Sequence, residues 1–341
     1  MSGDRRDIRS QTLPELVEFF SGIGEKGFRA HQVWEWLWQR STRSFDEMTS
    51  LPVSLRKQLE EHFLFPAAVP VETQTSRDGT IKTAFRLEDG AVIENVRIPS
   101  GGRITLCISS QVGCALGCKF CATGRLGFRR NLAIGEIYDQ VTDSDRYDTP
   151  VTNIVFMGMG EPFLNYENVT RTIERITAPD GMGFSPQRIT VSSVGIPRMI
   201  RKMADDKARY HFALSLHAPT DEQRSRLIPF NLSHPLAEVS DALKYYHGLT
   251  RKRFTIEYIL FGGINDSVAD ARELARFCRS FPVKVNLIEY NPVEGTGFKP
   301  STPEKTKAFA ATMEKFNMVV NLRQSRGKDI EAACGQLAGK H

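Results

Sequence analysis

A chain of 341 residues, 40% of them hydrophobic and 21 of them Phe, is long enough for one large core with a smaller attachment. Its 45 Lys and Arg against 40 Asp and Glu leave a net charge of +5, compatible with a nucleic-acid partner but common among enzymes that have none. No apolar run approaches the ~20 residues that a membrane-spanning helix needs, and the charged start "MSGDRRDIRS" is unlike a secretory signal, so no membrane partner and a cytoplasmic protein with reduced thiols are expected.

Residues 1–64 read as a helical accessory domain. "LPELVEFFSGIG" and "FRAHQVWEWLWQR" carry apolar residues at helical spacing, and "FDEMTSLPVSLRKQLEEHF" adds a turn and a further helix. Trp34 and Trp38 share one helix face and Trp36 points elsewhere, which predicts a packed face. The alternative is an aromatic platform for RNA bases, aided by Lys26, Arg29, Arg40 and Arg43. Residues 65–102 form a β-rich bridge of short alternating runs, "VPVETQTS", "IKTAFRL" and "AVIENVRI", the last two joined by the turn "EDG".

From residue 103 to 341 strand-like and helical patterns alternate, beginning with "RITLCIS", "TNIVFM", "RITVSS" and "HFALSL" and continuing with "FTIEYIL", "VKVNLI" and "MVVNLR". Strand–helix alternation predicts an α/β fold with a parallel sheet, and the number of units suits a partial (β/α) barrel. In such a barrel the reacting groups cluster just after the strands. The cysteine run follows the first strand, "GMGEP" the second, Ser192 and Ser193 close the third, "SLH" the fourth, and Asn291 follows "VKVNLI".

Four of the six cysteines lie in "CISSQVGCALGCKFCATG", three of them as Cys114-x3-Cys118-x2-Cys121. A structural zinc site wants four ligands, and no further Cys/His pair follows; Cys278 stands alone in a helical pattern and reads as a packing thiol. Three thiolates suit a [4Fe–4S] cube whose fourth iron stays open, with Gly113, Gly117 and Gly124 letting the backbone close around it. A zinc-holding RNA-binding protein is the non-enzymatic alternative.

The cysteine run is similar to the signature of the radical S-adenosylmethionine (SAM) superfamily. The resemblance implies that the open iron chelates SAM, that Gly160 and Glu161 of "GMGEP" meet its methionine end, and that Ser192, Ser215, Leu216, His217 and Asn291 supply further contacts. The match then narrows. "FRAHQVWEWLW…SFDEMTSLP", "CATGRLGFRRNL", "FMGMGEPFLNYENV", "FALSLHAPTDEQR" and "IEAACGQLAG" resemble, in order, the RlmN/Cfr family of RNA methyltransferases.

That resemblance implies methylation of C2 of an adenosine in 23S rRNA, and of the tRNA adenosine 3′ of the anticodon, with two SAM molecules used per turnover. Radical chemistry suits the target, because C2 of adenine has neither a lone pair nor an acidic proton. By the same resemblance Cys334 carries the methyl as S-methylcysteine, Glu94 accepts the C2 proton, and Cys107 releases the product by forming a disulfide with Cys334. A flavodoxin-type donor and a monomer are expected by analogy. Pro162 agrees with the C2 branch; C8 methylation of the same adenosine, or a radical-SAM enzyme with a non-RNA substrate, are the alternatives. In "RITLCIS" Cys107 shares the face of Thr105 and Ser109, away from Ile104, Leu106 and Ile108. Cys334 ends "DIEAA" before Gly335, read as a helix stop in a mobile segment. Lys119, Arg125, Arg129, Arg130, Arg323, Arg326 and Lys328 are expected to meet phosphate.

Overall fold

The computed structural model describes residues 5–339, so residues 1–4 and 340–341 of the predicted domains lie outside the described residues. Three helices open the chain: α1 (Leu13–Gly22), α2 (Phe28–Trp38) and α3 (Val53–His62). Thr12 and Glu15 cap α1 reciprocally, satisfying two amides that the first turn leaves over. Leu16, Phe20, Val33, Leu37, Trp38, Leu55 and Leu59 are buried between them. Trp34 packs edge-on to Trp38 and donates its indole N–H to Asp180, while Trp36 donates to Ser50 beneath the Arg40 guanidinium. Each indole is thus engaged within the protein, as the packing reading expects.

Ten strands make one sheet: β1 (Val69–Thr75), β2 (Ile81–Arg86), β3 (Val92–Ser100), β4 (Arg103–Ile108), β5 (Asn153–Phe156), β6 (Ile189–Ser193), β7 (His211–Ser215), β8 (Phe254–Leu260), β9 (Val283–Glu289) and β10 (Val319–Arg323). Their order in space is their order in the chain. From β4 to β10 every pairing is parallel, and β1 to β4 are antiparallel. The β-rich stretch 65–102 therefore continues the main sheet instead of standing apart from it. Its strands can pair antiparallel because short turns join them, whereas the parallel strands need crossover helices. The ends β1 and β10 do not pair with each other, so the (β/α) barrel is partial.

The crossovers carry α4 (Ile134–Thr142), α5 (Tyr166–Thr177), α6 (Pro197–Asp205), α7 (Asp221–Leu227), α8 (Leu236–Thr250), α9 (Val268–Cys278) and α10 (Pro303–Lys315). No helix among the described residues is long and apolar enough to cross a membrane. Cys278 is buried on α9, a packing thiol.

Helix α4 is buried along its whole length because the helical domain docks onto it. Trp38 packs edge-on to Tyr138, whose hydroxyl donates to the Trp38 carbonyl at 2.6 Å. Arg9 and Asp139, both fully buried, form a 2.8 Å ion pair, and the other Asp139 oxygen accepts from the Ala68 amide. Burial lifts the Asp139 carboxyl above its usual range although Arg9 and Arg43 oppose this. We expect Arg9→Met to destabilise the protein by about 3–5 kcal/mol in chemical denaturation, because it strands a buried carboxylate. The double variant Arg9→Met/Asp139→Leu should recover much of that loss; an additive loss would show that the pair does not hold the domains together.

Candidate active site

Alternation along β4 turns Ile104, Leu106 and Ile108 into the buried layer and Thr105 and Cys107 the other way. On that inner side the strand ends enclose a cleft of about 1460 Å³, counting the part open to solvent. Cys107, Cys114, Cys118 and Cys121 line it, together with Gly160, Glu161, Ser192, Ser215 and His217. Cys334 lines it from the far end of the chain. The predicted convergence of strand ends thus gathers most of the candidate residues.

The cysteine loop is shaped by glycine. Gly113 has φ +73°, and a Cβ there would sit 1.8 Å from the Gly127 carbonyl oxygen. This close approach lets Gln111–Gly113 pair with Phe128–Asn131 as a hairpin around the thiols. Among the described residues no three His, Cys, Asp or Glu side chains converge tightly enough for a single metal ion. The thiols nonetheless feel one another: Cys121 and Cys114 both push the Cys118 thiol up, behind burial as the main cause. Three thiols of one loop lining a common space suit a cluster whose fourth iron stays open. The amides of Gly124 and Thr123 also point to the Cys121 sulfur and favour its thiolate against burial. The donor set therefore fits a three-cysteine cluster.

Glu161 is buried at the cleft wall. Its two carboxylate oxygens accept from the Phe163 and Val194 amides at 3.0 and 2.9 Å, and burial still pushes its pKa up to about 7. Gly160 has φ +99°, and a Cβ would meet Gln111 at 2.5 Å, so the backbone approach requires glycine. Ser192 and Ser215 share a 3.0 Å hydroxyl–hydroxyl bond. His217 sits in the left-handed region at φ 58°, and its Nδ1 accepts from the Ile259 amide. Burial pushes its pKa down to about 3, so the ring is neutral with its proton on Nε2.

Two predicted SAM contacts do not line the cleft. The Leu216 side chain is fully buried, and its backbone is spent on the Glu257 carbonyl and on Arg224. Asn291 lies behind the cleft wall, donating to the Cys334 carbonyl at 3.4 Å, and its buried Oδ1 has no partner within the protein.

Glu94 also stands apart. On β3 it precedes Val96 and Ile98, which line the cleft, but its carboxylate faces a smaller polar niche with Lys82, Asp329 and Gln336. Lys82 pairs with it at 3.4 Å, and the Ala338 and Gly339 amides donate to its Oε2 at 2.8 and 3.0 Å.

Those amides belong to a C-terminal strap, residues 327–339, which corrects the expected helix stop at Gly335. Left-handed backbone at Gly327, Glu331 and Gly335 limits the helix to one turn, Lys328–Ile330. Both ends of the strap are tied. Asp329 accepts from Ser76 and the Arg77 amide, and the Gly327 amide donates to Asp78. The Gly335 and Leu337 carbonyls accept from the Ala122 amide and the Thr123 hydroxyl of the cysteine loop. Cys334 is exposed on this strap, and all six cysteines are free thiols, so no disulfide joins Cys107 to Cys334 in this state.

Sequence reasoning missed Arg224 and Glu257. Arg224, fully buried, reaches the Leu216 and Val194 carbonyls and clamps the ends of β6 and β7; it closes the motif "FALSLHAPTDEQR". Glu257 ends up in the cleft wall paired with Arg323 at 3.5 Å, hidden within the apolar run "FTIEYIL". Several expected phosphate contacts are engaged internally. Arg130 is held by Asp89 and Glu136, Arg129 by Asp89, and Lys328 by Glu289.

Two family models match the chain. The ribosomal RNA large subunit methyltransferase N-terminal domain covers residues 7–64, and the radical SAM superfamily covers 108–278. A protein of Christiangramia forsetii described as a probable dual-specificity RNA methyltransferase RlmN is 47% identical, covering 98% of this chain and 97% of that one. The dual-specificity RNA methyltransferase RlmN of Geobacter sulfurreducens is 45% identical over 98% of this chain and 92% of its own. The crystal structure of a radical SAM methyltransferase from Sphaerobacter thermophilus superposes with a TM-score of 0.92 at 40% identity, covering 98% of this chain and 100% of that one.

Proposed function

The chain belongs to the RlmN family of radical SAM RNA methyltransferases, and on that premise we propose that it adds a methyl group to C2 of an adenosine in 23S rRNA. The observation that carries this reading is the cleft itself: Cys107 and Cys334, 227 positions apart (334 − 107), line the same space as the three cysteines of the loop. A cluster alone explains Cys114, Cys118 and Cys121; it does not explain two more thiols facing them.

Cys114, Cys118 and Cys121 would hold a [4Fe–4S] cluster. When bound, it supplies the reductive cleavage of SAM to an adenosyl radical. Two SAM molecules are used, one for the methyl and one for the radical. The protein's share is binding and proton handling. Glu161, kept half-protonated near neutral pH by burial, becomes a full acceptor when an ammonium group arrives beside it. Gly160 presents bare backbone, the Ser192–Ser215 pair offers hydroxyls, and neutral His217 offers an N–H.

Cys334 accepts the methyl and presents it to the base; Cys107 releases the product by attacking the Cys334 sulfur. Glu94 takes the ring proton. Its hydrogen bonds from Ala338 and Gly339 link it to the strap that carries Cys334. The dual specificity in the relatives' descriptions supports a second RNA, which we read as the tRNA adenosine 3′ of the anticodon. A flavodoxin-type donor and a monomeric, cytoplasmic enzyme complete the proposal.

Nucleoside analysis of rRNA tests it. Deleting the gene should remove 2-methyladenosine, and the restored gene should return it. Loss of 8-methyladenosine instead would assign the chain to C8 chemistry, and no change in either would sink the RNA reading.

A further inference from the structure

The inner wall of the barrel carries a polar row of which the roles above use only Ser215. Strand register sets Ser215, Glu257, Asn286 and Asn321 side by side across β7 to β10. Asn321 donates to Asn286 at 3.1 Å, and Asn286 donates to Glu257 at 2.8 Å. The second Glu257 oxygen meets Arg323, two residues beyond Asn321 on the same face of β10, at 3.5 Å. Glu257 is 3% exposed, so its carboxylate is a fixed anchor; the Arg323 side chain is 42% exposed and extends along the cleft. A buried carboxylate in this row needs a reason, since an apolar residue would pack there without polar partners.

Its neighbours supply one. The titratable groups lining the cleft are Glu161, Glu257, His217, Arg323, Arg326 and the five cysteines other than Cys278. His217 is neutral. Enclosure of the sulfurs in the cleft pushes the Cys334 thiol up to about 11, although the residue as a whole is exposed on the strap, and the Cys107 thiol up to about 12; Arg323 lines the same cleft, and its charge opposes both rises. Cys121 and Glu257 act on Cys334 in the other direction, and Cys334 does so on Cys107.

We propose that Arg323, anchored by Glu257, is a positioning residue that holds a positive charge beside the sulfurs of Cys334 and Cys107 while each becomes anionic. The proposal rests on the methyl-carrier reading above. In the first step the Cys334 proton goes to solvent, the sulfur lone pair bonds the sulfonium methyl, and the methyl–sulfur bond of SAM breaks to leave a neutral thioether. Later the Cys107 thiolate attacks the Cys334 sulfur: the disulfide forms, the bond from that sulfur to the methylene on the base breaks, and the methylene keeps the electron pair and takes a proton to become the methyl. Both steps begin with a thiolate in a cleft that disfavours one.

Alkylation by neutral iodoacetamide tests this without SAM or RNA. Cluster-loaded protein made without SAM supply is treated from about pH 7 to about pH 9, and labelling of each cysteine is followed by peptide mass spectrometry. Arg323→Met should slow Cys334 and Cys107 about tenfold at every pH, the equivalent of a one-unit rise in pKa, and Arg323→Lys should stay near wild type. Buried Cys278 reports loosening, because it labels only when the fold opens. Should the methionine variant expose it, Arg323→Lys and Arg323→Gln carry the comparison, with the lysine form near wild type and the glutamine form slow. Equal rates for the charged and uncharged variants overturn the proposal. Failure of the carrier reading looks different: Cys334 then stays unmethylated in cells with SAM, whatever the alkylation rates.

Discussion

Cys334→Ala is expected to abolish RNA methylation to the detection limit while leaving the fold, iron content and SAM binding intact. The argument is geometric. The Cys334 side chain contributes a thiol to the cleft but no bond that holds the strap: those bonds come from Asp329, Gly327, Gly335, Leu337, Ala338 and Gly339 and from the Cys334 carbonyl, which an alanine keeps. Truncating an exposed side chain on a tied backbone leaves those bonds in place, so stability should move by less than about 0.5 kcal/mol. Chemistry should stop entirely, because on the proposed roles Cys107, on β4, is the resolving thiol and Cys114, Cys118 and Cys121 would be committed to a cluster. Mass spectrometry of wild-type protein should find a methyl on Cys334 when SAM is supplied. Methylated RNA from the alanine variant would remove the carrier role outright.

Cys107→Ala should fail later, and differently. Methyl transfer and attack on the base proceed, but nothing breaks the bond between the Cys334 sulfur and the new carbon. A covalent protein–RNA adduct should therefore accumulate, visible as a nuclease-sensitive band on a denaturing gel and absent from the double variant Cys107→Ala/Cys334→Ala. The position supports the role. Cys107 lies on rigid β4, facing the cleft, with the Met157 amide at its sulfur. Burial pushes its pKa up to about 12, so it stays a quiet thiol until a leaving group is in place. Free product and no adduct from the single variant would mean that another group resolves the intermediate.

Much of this is legible in the sequence. The strands were marked by alternation and by the turns between them. The cluster loop was marked by Cys114, Cys118 and Cys121 with their glycines, a spacing few other sites use. Glu161, Ser192, Ser215 and His217 could be placed because barrel strands deliver their ends to one mouth. Leu216 and Asn291 show where that rule loosens. A residue just past a strand end can point into the mouth or back into the core, and the choice is made by neighbouring packing, not by position in the chain. The strap escaped for a similar reason. "DIEAA" has helical propensity, but left-handed backbone at Gly327, Glu331 and Gly335 and bonds to Asp78, Ser76 and Glu94 outweigh it.

By itself the sequence determined the alternating strands and helices of a partial barrel and set three thiols at a spacing that suits a cluster, while the roles of Cys334 and Cys107 rested on the family resemblance. The strands, helices and thiol spacing are local properties, set by residue type and by periods of two and of three to four. Only the tertiary structure decided which charges meet. It set Glu257 against Arg323, Arg9 against Asp139, and Glu94 against the strap, pairs separated by 66 to 244 positions. Charge pairing depends on distance in space and on the exclusion of water, and neither is written in the order of the residues.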